Sequence, residues 1–151
     1  MKFDWYCGDE KTAEFVVDRA KKKVKVTNFR DDSFYLPFAP NVELDWDRWE
    51  RLIRRRCISP NNGWVKEHLA IIGLTKWDPY EIIRKTEGRM AGDNYRLVLV
   101  EDDEDQCRVP LTEEEKKMLE EERQKALRTF NQYRDAFRKL SATDSATSQD
   151  D

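Results

Sequence analysis

The chain has 151 residues and a formal net charge of −3, with 39% of it charged and 38% hydrophobic. That length suits one domain with room for an appended element, and that composition requires a surface dense in charge around a modest core. No run approaches the roughly 18 apolar residues of a membrane span, and Met1-Lys2-Phe3-Asp4-Trp5 lacks a signal peptide's apolar run, so a cytoplasmic protein with no membrane partner is expected.

Charge is unevenly placed. Residues 1–100 hold 19 Lys and Arg against 16 Asp and Glu, whereas residues 101–151 hold 9 against 15. The division this predicts is an α+β domain over 1–100, an acidic linker over 101–111, a long helix over 112–140 and a disordered tail over 141–151.

In chain order, the first 30 residues read as strands, because Phe3 alternates with Trp5, Phe15 with Val17 and Val24 with Val26. Gly8-Asp9-Glu10-Lys11 supplies one turn of a meander and Arg19-Ala20-Lys21-Lys22 the next. Lys21, Lys22, Lys23 and Lys25 read as a solvated hairpin end that deters edge pairing. Asp31 to Asn41, marked by Pro37 and Pro40, is expected to cross the core as an apolar connection. Asp45 caps a helix reaching about Arg56 that buries Trp46, Trp49, Ile53 and Cys57, leaving Arg48, Arg51, Arg54 and Arg55 on its other faces. A second helix follows Asn61-Asn62, buries Val65, Leu69 and Ile72, and stops at Gly73, where a left-handed cap is cheap. Asp78-Pro79-Tyr80-Glu81 opens the third with a cap residue, proline at the first position and glutamate at the third, and Gly88 ends it. Tyr95 to Val100 is a last strand, added to the N-terminal sheet and partly covered on both faces. Glu101-Asp102-Asp103-Glu104-Asp105 then forces the chain into solvent. Thr112-Glu113-Glu114-Glu115 is a capping box for the long helix, along which Leu119, Ala126, Phe130, Tyr133, Phe137 and Leu140 recur at threes and fours. That helix is expected to pack on its own domain, with a homodimer through 113–140 as the alternative.

Residues 51–100 carry a distinctive punctuation: Arg56 to Pro60, Gly73-Leu74, Asp78-Pro79, Gly88 to Asp93, then Tyr95 onward. This pattern resembles a module of short proteins from Firmicute bacteria and their mobile elements, also seen ahead of HipA-type kinase domains. The chain departs from it at Asn61-Asn62-Gly63-Trp64, where polar and basic residues are usual, and at Arg96, where a tryptophan is common. The resemblance implies the fold of the middle, and it raises a freestanding regulatory domain of a HipA-like kinase system as one function.

Catalytic chemistry finds little support. The single histidine, His68, falls within the second helix as a core-edge residue with no visibly paired Cys or Ser. Gly88 to Gly92 lacks the signature of a phosphate loop, and the calcium-loop start at Asp103 fails because Arg108 stands where glycine is needed. Cys7, Cys57 and Cys107 are odd in number and 50 residues apart, which reads as reduced, partly buried thiols. No enzyme, cofactor or metal is expected.

Binding is the better reading. Arg51, Arg54, Arg55 and Arg56, with Arg89, are candidates for meeting an acidic protein face or nucleic acid. Glu101, Asp102, Asp103, Glu104 and Asp105, with Glu120 and Glu121, are candidates for occupying the basic groove of a nucleic-acid enzyme. The expected fold is α+β, a small antiparallel sheet packed by three short helices with a long amphipathic C-terminal helix. The expected function is a non-catalytic protein-interaction module, an anti-CRISPR-like inhibitor from a phage or mobile element that targets a host nucleic-acid-targeting defence protein; a direct nucleic-acid-binding regulator is the alternative.

Overall fold

Alternating apolar residues at the start of the chain form three strands, β1 (Lys2–Cys7), β2 (Glu10–Asp18) and β3 (Lys23–Asn28). A fourth, β4 (Tyr95–Glu101), returns to pair antiparallel with β1, so the sheet runs β3-β2-β1-β4. Three short helices, α1 (Trp46–Arg55), α2 (Val65–Ile71) and α3 (Pro79–Thr86), fall between β3 and β4, and α4 (Glu113–Ala146) follows. The structure is a computed structural model describing residues 1–39, 44–102 and 111–146, with side chains in the last segment described through 136 and at 138. The fold class is the α+β arrangement that the sequence implies. Pro40, Asn41, Asp103, Glu104, Asp105, Cys107 and Arg108 lie outside the described residues.

The chain divides into two units, Met1–Val65 with Lys76–Pro110, and Lys66–Thr75 with Leu111–Asp151. The segment after Val65, counted from sequence with the first hundred residues, therefore groups with the C-terminal helix.

In the first unit one face of the sheet carries the core. Register sets Phe3 beside Phe15 and Phe15 beside Val26, with Trp5 between Ala13 and Leu97, and Phe3, Trp5, Ala13, Phe15 and Leu97 are all buried. Trp49 of α1 fills the space above them, its ring centroid 5.2 Å from Phe3 and 5.1 Å from Phe15. Burying an indole strands its N–H unless a partner is close. Tyr80 of α3 provides one, accepting from Trp49 Nε1 at 3.1 Å, and burial pushes the Tyr80 hydroxyl up to about 12. Ile53, Ile82 and Ile83 complete this layer.

A register shift between Trp5 and Tyr6 leaves Thr12 unpaired opposite β1 and turned inward. Its hydroxyl donates to Tyr35 O at 2.7 Å, and Trp5 Nε1 donates to the same carbonyl at 3.2 Å. One carbonyl, using both lone pairs, thus pins the connection after β3 to the sheet. Leu36 is buried there, but Phe34 stays exposed, so the expected crossing of the core is only partial.

The helix ends follow local chemistry. Asp45 Oδ1 accepts from Arg48 N at 2.7 Å to start α1, and Asp78 Oδ1 accepts from Tyr80 N at 2.8 Å to start α3. Leu74 N reaches Leu69 O at 2.8 Å while Gly73 takes φ +78, a Schellman stop for α2. Val65 and Ile72 are half-buried rather than core, and Leu69 and Ala70 take that place. The far end of α4 departs most from expectation, since helix continues through Ala146 where a disordered tail was expected from 141. Extending a formed helix adds one hydrogen bond per residue, so Ser141-Ala142-Thr143 need not end it.

Because Trp49 is fully buried against both sheet and α3, Trp49→Ala is expected to destabilise the fold by about 3–5 kcal/mol in urea denaturation. Trp49→Phe, which keeps the ring and loses the bond to Tyr80, should cost clearly less.

Candidate interaction surfaces

The arginines of α1 divide by their place on the helix. Arg48, Arg51 and Arg55 share one outward stripe at three- and four-residue spacing. Arg51 and Arg55 are exposed and make no ion pair among the described residues. Arg54 is also exposed, but it leans on Glu50 at 3.8 Å and lies over the Trp77 ring at 5.5 Å.

Arg56 behaves differently. It follows Trp49 and Ile53 at the spacing of the buried stripe, and only 6% of it is exposed. Nε donates to Gly88 O at 2.7 Å, Nη1 to Asp93 Oδ2 at 2.6 Å, and Nη2 to Asp93 Oδ1 at 3.0 Å and to Tyr95 O at 2.7 Å. This fork-to-carboxylate geometry is one that only arginine supplies. The guanidinium also lies 5.4 Å from the Trp5 ring, which in turn stacks on Tyr95. Arg56 is therefore withdrawn from the set of partner-binding candidates, because its donors are spent inside the fold.

The backbone around it is shaped to match. Glu87 and Gly88 both take left-handed conformations, at φ 54 and 55. A Cβ on Gly88 would sit 3.2 Å from Leu97 Cβ and 3.3 Å from Arg56 Cβ, tight contacts that glycine avoids at a φ it adopts without strain. Arg89 is exposed and pairs with Glu87 at 2.9 Å.

Among the acidic candidates, Glu101 is exposed at the end of β4. Asp102 is not available, since its side chain is 3% exposed and ion-paired to Arg84 of α3. Asp103, Glu104 and Asp105 lie outside the described residues. On α4, Glu120 and Glu121 are exposed, as are Glu113, Glu114 and Glu115, which the sequence marks only as a helix cap, and Glu122. Their signal was available as six glutamates within residues 113–122. Gln124 and then Arg123 hold the Glu120 carboxyl below the ordinary range, with Gln124 Nε2 at 2.7 Å.

His68 is exposed rather than at a core edge, with its ring edge-on to Phe130 at 6.5 Å. Cys57 is buried and free, its thiol pushed up to about 12 chiefly by that burial, so it stays protonated at neutral pH. Among the described residues no group of three or more His, Cys, Asp or Glu is placed to hold a metal ion, and no helix is long and apolar enough to cross a membrane. The chain matches no family model, no curated protein and no solved structure.

Removing Arg56 leaves the Gly88 and Tyr95 carbonyls without this donor and the Asp93 carboxylate with only the Tyr95 N–H, so Arg56→Ala is expected to cost about 3–5 kcal/mol in urea denaturation. Arg55→Ala should fall within about 0.5 kcal/mol of wild type, as exposed substitutions do. Asp93 is held below its ordinary value of 3.8, first by Arg56 and then by the Tyr95 N–H. A depressed folded value adds stability that is complete above the unfolded value and is lost as pH falls through the folded one. Asp93→Asn is therefore expected to flatten the loss of stability below about pH 4, read from urea midpoints between pH 7 and pH 2.

Proposed function

We propose that this chain is a non-catalytic protein-interaction module, an inhibitor that seats one acidic face of α4 in the basic groove of a nucleic-acid-targeting host protein. The observation that carries the reading is the run of exposed glutamates Glu113, Glu114, Glu120 and Glu121 along the first turns of α4. At 1.5 Å rise per residue they span about 12 Å. With Lys117 among them, the net density is about one negative charge per 4 Å, close to the 3.4 Å spacing of phosphates along one DNA strand. A groove that binds phosphates by charge accepts such a face for the same reason.

A direct nucleic-acid-binding role is the second reading, favoured by one observation: Arg51 and Arg55 stand exposed on a single stripe with their charges uncompensated by any ion pair among the described residues.

The immobilised chain, incubated with nuclease-treated host lysate, is expected to retain a basic nucleic-acid-binding protein. That protein's binding to its own DNA or RNA should be competed by the free chain, and Glu114→Gln with Glu120→Gln and Glu121→Gln should weaken both effects at least tenfold. If bulk duplex DNA or RNA instead shifts in gels with steep salt dependence, and Arg51→Ala with Arg55→Ala abolishes the shift, the inhibitor reading fails and the regulator reading stands.

A further inference from the structure

Asn62 is the only asparagine of the chain followed by glycine, and it lies in the turn between α1 and α2. The chain is wound tightly there: Asn61 N donates to Ser59 Oγ at 3.2 Å and Asn62 N to Ser59 O at 3.0 Å. Asn62 then accepts twice from the residues after it, at Oδ1 from Trp64 N at 2.8 Å and at its backbone O from Val65 N at 3.0 Å. The first of these bonds closes an Asx turn, which folds the side-chain carbonyl back toward the Asn62–Gly63 peptide.

This turn suits an attack of the Gly63 nitrogen on the Asn62 side chain. Gly63 is exposed, has no Cβ to screen its nitrogen, and its N–H donates to no group among the described residues. Asn62 is exposed too, and no acceptor among the described residues holds its Nδ2. The Trp64 N–H polarises the carbonyl under attack and already reaches the atom on which negative charge develops, as an oxyanion donor must. The closed turn keeps nucleophile and electrophile together, which replaces a search by a fixed approach.

We propose that Asn62 is a self-modification site, at which the folded chain loses ammonia through a cyclic imide and becomes aspartate or isoaspartate. Gly63 N bonds to Asn62 Cγ as its proton passes to water, and the carbonyl electron pair moves onto Oδ1. Collapse of that oxyanion breaks the Cγ–Nδ2 bond, and Nδ2 takes a proton from water and departs as ammonia. A water molecule then opens the imide. Addition at Cγ breaks the bond to Gly63 N just formed and leaves aspartate. Addition at the backbone carbonyl leaves isoaspartate, with the main chain rerouted through the side chain. Either product adds one carboxylate and takes the formal net charge from −3 to −4. Isoaspartate also lengthens the main chain by one carbon and removes the carbonyl that accepts from Val65 N, so it alters the entry into α2.

The full chain, held folded at 37 °C and pH 8, is expected to show the mass gain of an amide-to-acid conversion in the peptide containing Asn62, and isoaspartyl methyltransferase should label that peptide. Asn28, Asn61, Asn94 and Asn131, which precede larger residues, should stay intact over the same interval. Gly63→Ala is compatible with the fold, because Gly63 has no positive φ and a Cβ there meets nothing within 4 Å. It should slow conversion at least tenfold with circular dichroism unchanged. The role of the Trp64 N–H is read by comparing the folded chain with the same chain in guanidinium chloride at equal pH. Conversion should be faster in the folded state, since only there is that donor placed. Survival of Asn62 in the folded chain, equal conversion at the other asparagines, a Gly63→Ala chain that converts like wild type, or faster conversion in the unfolded chain each overturns the proposal.

Discussion

A single buried guanidinium organises the sheet unit. Arg56 leaves the end of α1 and makes four hydrogen bonds, to the stop of α3 at Gly88, to the Asp93 carboxylate, and to the first carbonyl of β4 at Tyr95. A charge removed from water to this degree is tolerable only when its donors are satisfied, which fixes the positions of all three partners. The left-handed pair at Glu87 and Gly88 follows from that demand. It turns the Gly88 carbonyl toward Arg56 while Glu87 O receives Leu97 N at 2.8 Å, so the same two residues end α3 and begin the pairing of β4.

From this anchor the rest of the unit is determined by packing. Tyr95 stacks on Trp5 and donates its hydroxyl to Phe34 O at 2.6 Å, while Trp5 and Thr12 hold Tyr35 O. The loop after β3 and the start of β4 are therefore tied to β1 through one aromatic pair. At the middle of the sheet Trp49 performs the equivalent task for α1 and α3, through ring contacts to Phe3 and Phe15 and its bond to Tyr80. Polar atoms buried in this core mostly have partners in the same core, and this gives the packing one arrangement in place of many.

The parts of this design that are local were legible in the sequence, and the parts that are not were hidden in it. Asp45, Asp78-Pro79 and Gly73 act on backbone groups within five residues of themselves, so their types and spacing announce the helix ends. Arg56 acts on residues 32 to 39 positions away, and nothing in Arg54-Arg55-Arg56 distinguishes it by composition. The clue lay in phase: Trp49, Ile53 and Arg56 recur as one stripe, which assigns Arg56 inward and leaves Arg51 and Arg55 outward. Asp102 was hidden for the same reason, since it reads as one member of an acidic run until Arg84 of α3 is brought against it. The apolar stripe of α4 was legible as a pattern, but a pattern carries no record of how far along it a cover extends.

That last distinction separates the roles of the two units. In the sheet unit, the ring contacts and hydrogen bonds that define the core consume the side chains whose chemistry stands out in the sequence, Arg56 and Asp102 among them. Outward there are the arginine stripe of α1 and the exposed rings of Phe29, Phe34 and Trp64. In the other unit, α4 carries exposed aromatic side chains beyond Ala126 and, unlike the sheet unit's helices, charge of both signs in separate blocks along its length. Each exposed aromatic ring keeps apolar area in water at roughly 25 cal/mol per Å², a standing cost that burial against a partner would remove. Exposed apolar surface rimmed by ordered charge is the usual mark of an interaction surface on a soluble protein.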